Sequence, residues 1–479
     1  MNDDHPRFES TARPQAHRAR AGAQASASAR AARRLWWPLL IVSLLTACGG
    51  GDSGGGAIAA PATPTPLPPA PSGNLDSAFG DGGKVTTDFN GRDDQAYAVA
   101  IQSDGKLVVA GYAGSAGSRD DFALARYDET GALDPSFGSG GRLTTAISAQ
   151  TDIATALAVQ PDRKLVAAGY ADNGTNDFAL VRYDEAGGID TSFGGNGVVT
   201  TDFNGGPDVG AALALDVDDT LQAVNRIVMA GYSHNGSGGG NFDFAVASYD
   251  ANGAPDAAFA GGRVTTDFGG DFDAATSVAI QADGKIVAAG VARIAGDTDF
   301  ALARYLANGD LDTSFGAGGK LTTDIDASFD TINAIAVQAD RKIVAAGSAS
   351  LSGGQTVMVL VRYEENGDLD TGFGNGGKVI TDIGGVYDSI STVRVLADDK
   401  IVVAGTSVGS VSADLAIVRY HANGTIDTDF GTDGVAVFDF NGAEEAATAL
   451  GIQADGKIAA AGFIIDPARE DFLLVRVHP

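Results

Sequence analysis

Seven carboxylates recur at one position of a text written seven times. Asp94, Asp152, Asp208, Asp273, Asp330, Asp388 and Glu445 each stand seven residues before the last apolar residue of a short hydrophobic segment, Ile101 in the first copy. Carboxylates gathered around a common axis repel one another, and their pKa values rise unless a cation joins them. An oxygen-only ligand set suits Ca²⁺, which tolerates irregular shells of about six to eight oxygens, better than Mg²⁺. The expectation is a ring of acids that binds Ca²⁺ or a basic ligand group near a pore. The competing reading gives each acid to loop amides or to an arginine of its own unit.

A second recurring group is Arg126, Arg182, Arg304, Arg362, Arg419 and Arg476, replaced in the third copy by Ser248. A guanidinium on a strand is expected to pair bidentately with the Asp of the motif "LDxxFG", a structural role. Catalytic residues are not found. After Cys48 there is no further cysteine and no tryptophan, and only His234, His421 and His478 remain, none in a nucleophile-elbow context. Lack of tryptophan also removes the usual stacking floors for sugars.

The charge is lopsided, with 32 basic against 61 acidic side chains and a net of −29, so the surface should repel nucleic acid and welcome cations or basic partners. Arg33 and Arg34 precede an apolar run from Leu35 to Leu45, too short to span a bilayer at about 20 residues per helix. That is a signal peptide, residues 1–47. Leu45-Thr46-Ala47-Cys48 resembles the lipobox of bacterial lipoproteins, which implies lipidation of Cys48 and, with Gly49 after it, the outer membrane. Residues 48–74 form a Gly- and Pro-rich linker, "APATPTPLPPAPSG", a semi-rigid spacer.

The elements that would position these groups follow from the repeat. The motif Asp recurs at 76, 134, 190, 256, 312, 370 and 427, at spacings of 58, 56, 66, 56, 58 and 57 residues. Each unit reads as four short apolar segments without a helical period, and Asp104-Gly105 reads as a two-residue hairpin turn. Residues 75–479 are therefore expected to be all-β: a seven-bladed β-propeller with four antiparallel strands per blade, the ring closed by pairing the N- and C-terminal strands. A β-solenoid is the runner-up. "DGKLVVAGY…DFALARYDETGALDPSFGSGGRLTT" resembles the delta-60 repeat family of bacterial surface and secreted proteins, which implies a propeller-like fold and no established activity. The Gly of "VAGY" is expected where neighbouring sheets approach closely.

In such a fold one face carries "SDGK" and "YDETGALDPSFGSGG", nearly the same in every copy. The other carries loops that differ every time, from "AGSAGSRD" to "IIDPARED". The reading is a lipid-anchored, monomeric binding or scaffold protein of a bacterial envelope that takes a protein or glycan ligand on its variable face. The alternative is a propeller enzyme, a hydrolase or lyase with a carboxylate-based or metal-assisted site.

Overall fold

The computed structural model describes residues 72–479 apart from 116–118, 219, 237–240, 295, 326–328, 410–411 and 467–468. Cys48, the signal segment and the linker up to residue 71 lie outside the described residues. The described chain is all-β and folds unit by unit into four-stranded antiparallel sheets. The first complete sheet comprises Asp94–Ile101, Leu107–Ser115, Arg119–Tyr127 and Arg142–Thr145 in that order. The three longer strands are nearly continuous apolar runs rather than alternating ones, because the next sheet covers each face. The fourth strand is short, half-exposed and Thr-rich.

Successive sheets pack face to face through their first strands: Asp94–Ile101 against Asp152–Val159, then Asp208–Asp218, Asp273–Ile280, Asp330–Val337, Tyr387–Val395 and Glu444–Ile452. Glu444–Ile452 in turn packs against Asp94–Ile101. The sheet that holds Glu444–Ile452, Ile458–Asp466 and Arg469–Val477 takes its fourth strand from the other end of the described chain, Lys84–Thr87, with Lys84 opposite Val475 and Thr87 opposite Phe472. The turn between those last two strands is split. His478 N donates to Asn74 O (2.9 Å) and Gly73 N to His478 O (2.9 Å), as Asp128 N does to Ala132 O (2.9 Å) and Gly131 N to Asp128 O (3.0 Å) in an unbroken copy.

Two local expectations are corrected. The hairpin between the first two strands is not a two-residue turn. Gln102 N bonds to Lys106 O (2.9 Å), which leaves Ser103-Asp104-Gly105 as the loop, and only its last position has positive φ. That position is Gly105 at 83° but Arg163 at 67°, Arg341 at 70° and Asp399 at 63° in other copies. The Gly of "VAGY" does not serve the contact between sheets. Every first strand carries a bulge, one extra residue such as Tyr97 between Ala96 and Ala98, and a Cβ on Gly111 would lie 1.9 Å from Gln95 O of that bulge. Gly169, Gly231, Gly290, Gly347, Gly405 and Gly462 face the same obstruction within their own sheets.

In four units the bulged residue itself reaches the next sheet. Thr155 Oγ1 donates to Gly210 O (2.9 Å), Thr276 Oγ1 to Ile332 O (2.7 Å), Asn333 Nδ2 to Ile390 O (2.7 Å) and Thr448 Oγ1 to Ala96 O (2.8 Å). Farther out, each "ALARY" tyrosine hydroxyl meets a threonine on the fourth strand of the preceding sheet, as in Tyr127–Thr87 (2.7 Å) and Tyr183–Thr145 (2.9 Å).

The recurrent arginines make the third tie. Arg126 Nε donates to Asp134 Oδ2 (2.9 Å), its guanidinium lies over the Phe137 ring (4.6 Å), and its NH1 donates to Glu185 O of the next unit. "LDxxFG" thus supplies the carboxylate and the ring for one guanidinium. Arg182, Arg304, Arg362, Arg419 and Arg476 pair in the same way with Asp190, Asp312, Asp370, Asp427 and Asp76. Lys106 joins Asp134 Oδ2 from the first hairpin (2.9 Å). Burial alone would raise the Asp134 pKa, but hydrogen bonds from Ser136 and Lys106 and the Arg126 charge hold it well below the ordinary carboxylate range.

In the third unit Ser248 Oγ bonds to its own Asp256 (3.1 Å) and supplies no bond to the next unit, and Arg226 takes over from the lysine position of the hairpin. Its Nε pairs with Asp216 (3.2 Å) and its NH1 donates to Ala307 O (3.0 Å), the counterpart of Glu185 O. Arg226→Lys is expected to cost about 1–3 kcal/mol, the range for hydrogen bonds to a charged group, and Ser248→Arg in that background to restore most of it. Ser248→Arg alone should destabilise, because two guanidiniums then compete for one carbonyl. Denaturant unfolding of the four proteins measures this, and additive effects would mean the two sites are unrelated.

Candidate functional site

The seven repeated acids open the first strand of every unit, at the end where the variable loops emerge, and all seven side chains have no exposed surface. Each accepts the amide of the residue five before it: Phe89 N to Asp94 (2.7 Å), Ile147 N to Asp152 (2.7 Å), Phe203 N to Asp208 (2.6 Å), Phe268 N to Asp273 (2.7 Å), Ile325 N to Asp330 (2.6 Å), Ile383 N to Asp388 (3.0 Å) and Phe440 N to Glu445 (3.3 Å). The picture of unpaired carboxylates facing one another around a pore is corrected accordingly. They are buried loop fasteners, and no two of them share a cluster among the described residues.

The groups they do join come from the preceding sheet. Asp94 meets Asp471 and Asp88, Asp208 meets Asp177 and Asp202, Asp273 meets Asp243 and Asp267, Asp330 meets Asp299 and Asp324, and Glu445 meets Asp414 and Asp439, with one oxygen from each acid within 4.8 Å of the others. One partner precedes the phenylalanine or leucine of the third strand and the other follows the fourth strand. The first strand of the next sheet closes the triad. The other two interfaces lack a member, with Ala146 in place of the fourth-strand acid beside Asp121 and Asp152, and Val357 in place of the third-strand acid beside Asp382 and Asp388. Sequence reasoning missed both partners, although the Asp of "DF" and of "TTD" recur in the text as regularly as the inner acid.

The second carboxylate oxygen is where the units differ. Gly114 N donates to Asp94 Oδ1 (3.1 Å) and Ser407 Oγ to Asp388 Oδ1 (2.6 Å). Asp152, Asp273, Asp330 and Glu445 each keep one buried oxygen without a hydrogen-bond donor among the described residues. Burial, helped by the neighbouring acids, raises Asp94, Asp208, Asp273 and Asp330 to about 6 and Glu445 to about 7. A hard, oxygen-seeking dication is the ion such a set could hold.

No histidine joins an acid cluster among the described residues. His234 Nδ1 accepts Gly236 N (3.1 Å) beside Phe242, and His421 stands 3.8 Å from Asp427. The described histidines therefore lie away from the acid triads.

The sequence matches the profile of a domain of unknown function (DUF5122) beta-propeller at residues 102–137, 160–193, 222–259, 281–315, 338–373 and 396–430. Six matches at the pitch of the four-stranded sheets decide the class. The chain is a β-propeller repeat protein. Each match runs from the first hairpin of a blade to the phenylalanine of "LDxxFG". No curated protein matches the propeller. Among solved structures it resembles the polysaccharide lyase Uly1 (11% identity, 80% of this chain and 89% of that one, TM-score 0.45). It also resembles the beta-propeller domain of the Trilobed protease from Pyrococcus furiosus (7%, 80% and 96%, 0.41) and virginiamycin B lyase from Staphylococcus aureus (10%, 82% and 98%, 0.36). TM-scores below 0.5 at such identities bear on neither substrate nor activity.

The raised acids make the propeller's stability depend on pH. Each of the five holds its proton more tightly folded than unfolded, so its contribution is complete below about pH 4 and is lost as pH rises toward 6 to 7. Calorimetric melting in metal-free buffer should show Tm falling between about pH 4.5 and 7.5, with the slope cut by roughly two-fifths in Asp273→Asn/Asp330→Asn. An unchanged slope in the double variant would mean these two carboxyls titrate normally.

Proposed function

We propose that the chain is a lipid-anchored binding or scaffold protein of a bacterial cell envelope, a single seven-bladed ring that takes a protein or glycan ligand on its variable face. The division between the two faces carries this reading. On one face the same hairpin closes unit after unit, through Gln102–Lys106, Gln160–Lys164 and Gln338–Lys342, above the same Arg–Asp–Lys cluster. On the other, the connections between second and third strands differ in composition in every unit and range in length from two to seven residues. Variation gathered on one side of a rigid scaffold is how loops acquire recognition.

Closure of the ring is supported by the strand Lys84–Thr87 completing the last sheet and by the contact of Glu444–Ile452 with Asp94–Ile101. The anchor is supported by Leu45-Thr46-Ala47-Cys48, and the short fourth strands, four residues each, favour a monomer by offering little edge to a second copy. The acids under the variable face favour Ca²⁺ or a basic group and disfavour nucleic acid. The enzyme reading has less support, since the acid clusters are alike and spread over five interfaces instead of gathering unlike groups in one funnel.

Cys48→Ala should move the protein from the membrane to the soluble fraction and abolish labelling by a fatty-acid probe; retention of the label overturns the anchor. For the face, surface plasmon resonance against purified envelope glycans and basic peptides should show binding lost when the stretch from Ser233 to Phe242 is replaced by the shorter loop of the second unit. Binding should persist in Glu129→Ala, on the opposite face. The reverse pattern relocates the site, and glycan cleavage by the wild type would make the protein an enzyme.

A further inference from the structure

One charged side chain in the inner strands has no partner of the kind described so far. Apart from Arg394, the seven first strands contain no lysine or arginine. Its counterparts, fixed by the register opposite the second strands, are Ala100, Ala158, Ala214, Ala279, Ala336 and Gly451, all buried. The repeat therefore specifies a small residue here, and the sixth unit places a guanidinium in that position.

Backbone alternation says where the guanidinium lies. Leu396 N donates to Lys400 O (2.8 Å), so the amide and carbonyl of Leu396, and by alternation those of Arg394, face the second strand Ile401–Val408. The carbonyl of Val393 points the other way, toward the space enclosed by the first strands. Arg394 NH1 donates to that carbonyl (2.8 Å). No carboxylate among the described residues comes within ion-pairing distance, and the side chain stays partly accessible. Protein crowding around it lowers its pKa to about 10, through loss of hydration alone, with no opposing charge to offset the loss.

A half-buried cation without an opposing charge is costly, and a counter-charge arriving from outside would offset that cost. We propose that Arg394 is the centre of an anion site in the space between the first strands, and that its ligand is a small free oxyanion, a carboxylate or inorganic phosphate. The planar fork of donors matches two oxygens of such a group at once, while one NH1 stays on Val393 O. The acidic exterior, at a net −29, keeps polyanions away. The site rests on the closed-ring reading given above.

The test uses the full chain at constant ionic strength, with inorganic phosphate and acetate titrated in place of chloride. Wild type is expected to bind one of the two and to melt higher in its presence. Arg394→Ala should bind at least tenfold more weakly and lose the shift, and Arg394→Lys should fall between. In chloride alone Arg394→Ala should melt at or above the wild type, because alanine is what five other blades carry at this position. A lower melting point for Arg394→Ala with unchanged anion affinity makes the arginine structural and overturns the site, as does absence of binding by both anions. The ring is judged separately: deletion of Lys84–Thr87 should lower the melting point of wild type and Arg394→Ala alike, and no loss in either would overturn the ring while leaving the anion result readable.

Discussion

A four-stranded sheet with apolar residues on both faces cannot stand alone, and the bond that commits each sheet to its neighbour is a guanidinium. In most units Arg126 or its equivalent is held at Nε by its own Asp and steadied over its own Phe. Its outer nitrogen is then spent on a carbonyl of the next sheet. Because the arginine is almost fully buried, the charge stays only if every contact is made. The requirement is on the donor's position in space and not on its place in the sequence. The third unit satisfies it with Arg226 from a different strand.

The inner bulge is the complementary device. One extra residue per first strand twists that strand, brings a carbonyl against the second strand and, in four units, turns a threonine or asparagine toward the neighbouring sheet. Glycine at 111 and its equivalents is the condition for that geometry, since any Cβ would occupy the place of the bulge carbonyl. Hydrogen bonds at the bulge, tyrosine–threonine pairs farther out and arginine bridges at the opposite end tie adjacent sheets at three radii. The sheets thereby become a scaffold stiff enough to present loops.

Much of this was legible in the text and some was not, for physical reasons. The four strands of each unit were readable because turn residues punctuate short apolar runs, as in the first complete sheet. The bulge was not readable, because an extra residue in a run such as "AYAVAI" leaves no mark on composition. The place of the inner acids at the head of the first strand was legible. Their company was not, since Asp471 approaches Asp94 from the far end of the chain, and Asp88, although only six residues before Asp94, follows a strand of that same other sheet. Arg394 carried a signal that needed only comparison among copies, a single basic residue where the repeat writes alanine.

The composite last sheet has a consequence for how such a gene can change. Its fourth strand comes from the first unit and its other three from the last, so neither terminal unit encodes a complete sheet by itself. Unequal recombination between equivalent points in two interior copies adds or removes three strands of one sheet and the fourth of another. The sum is always one whole sheet, and the shared sheet is left untouched. Copy number is thus free to drift while the joint between the two ends is inherited intact, and a lineage can change its number of sheets without ever having to reinvent the seam.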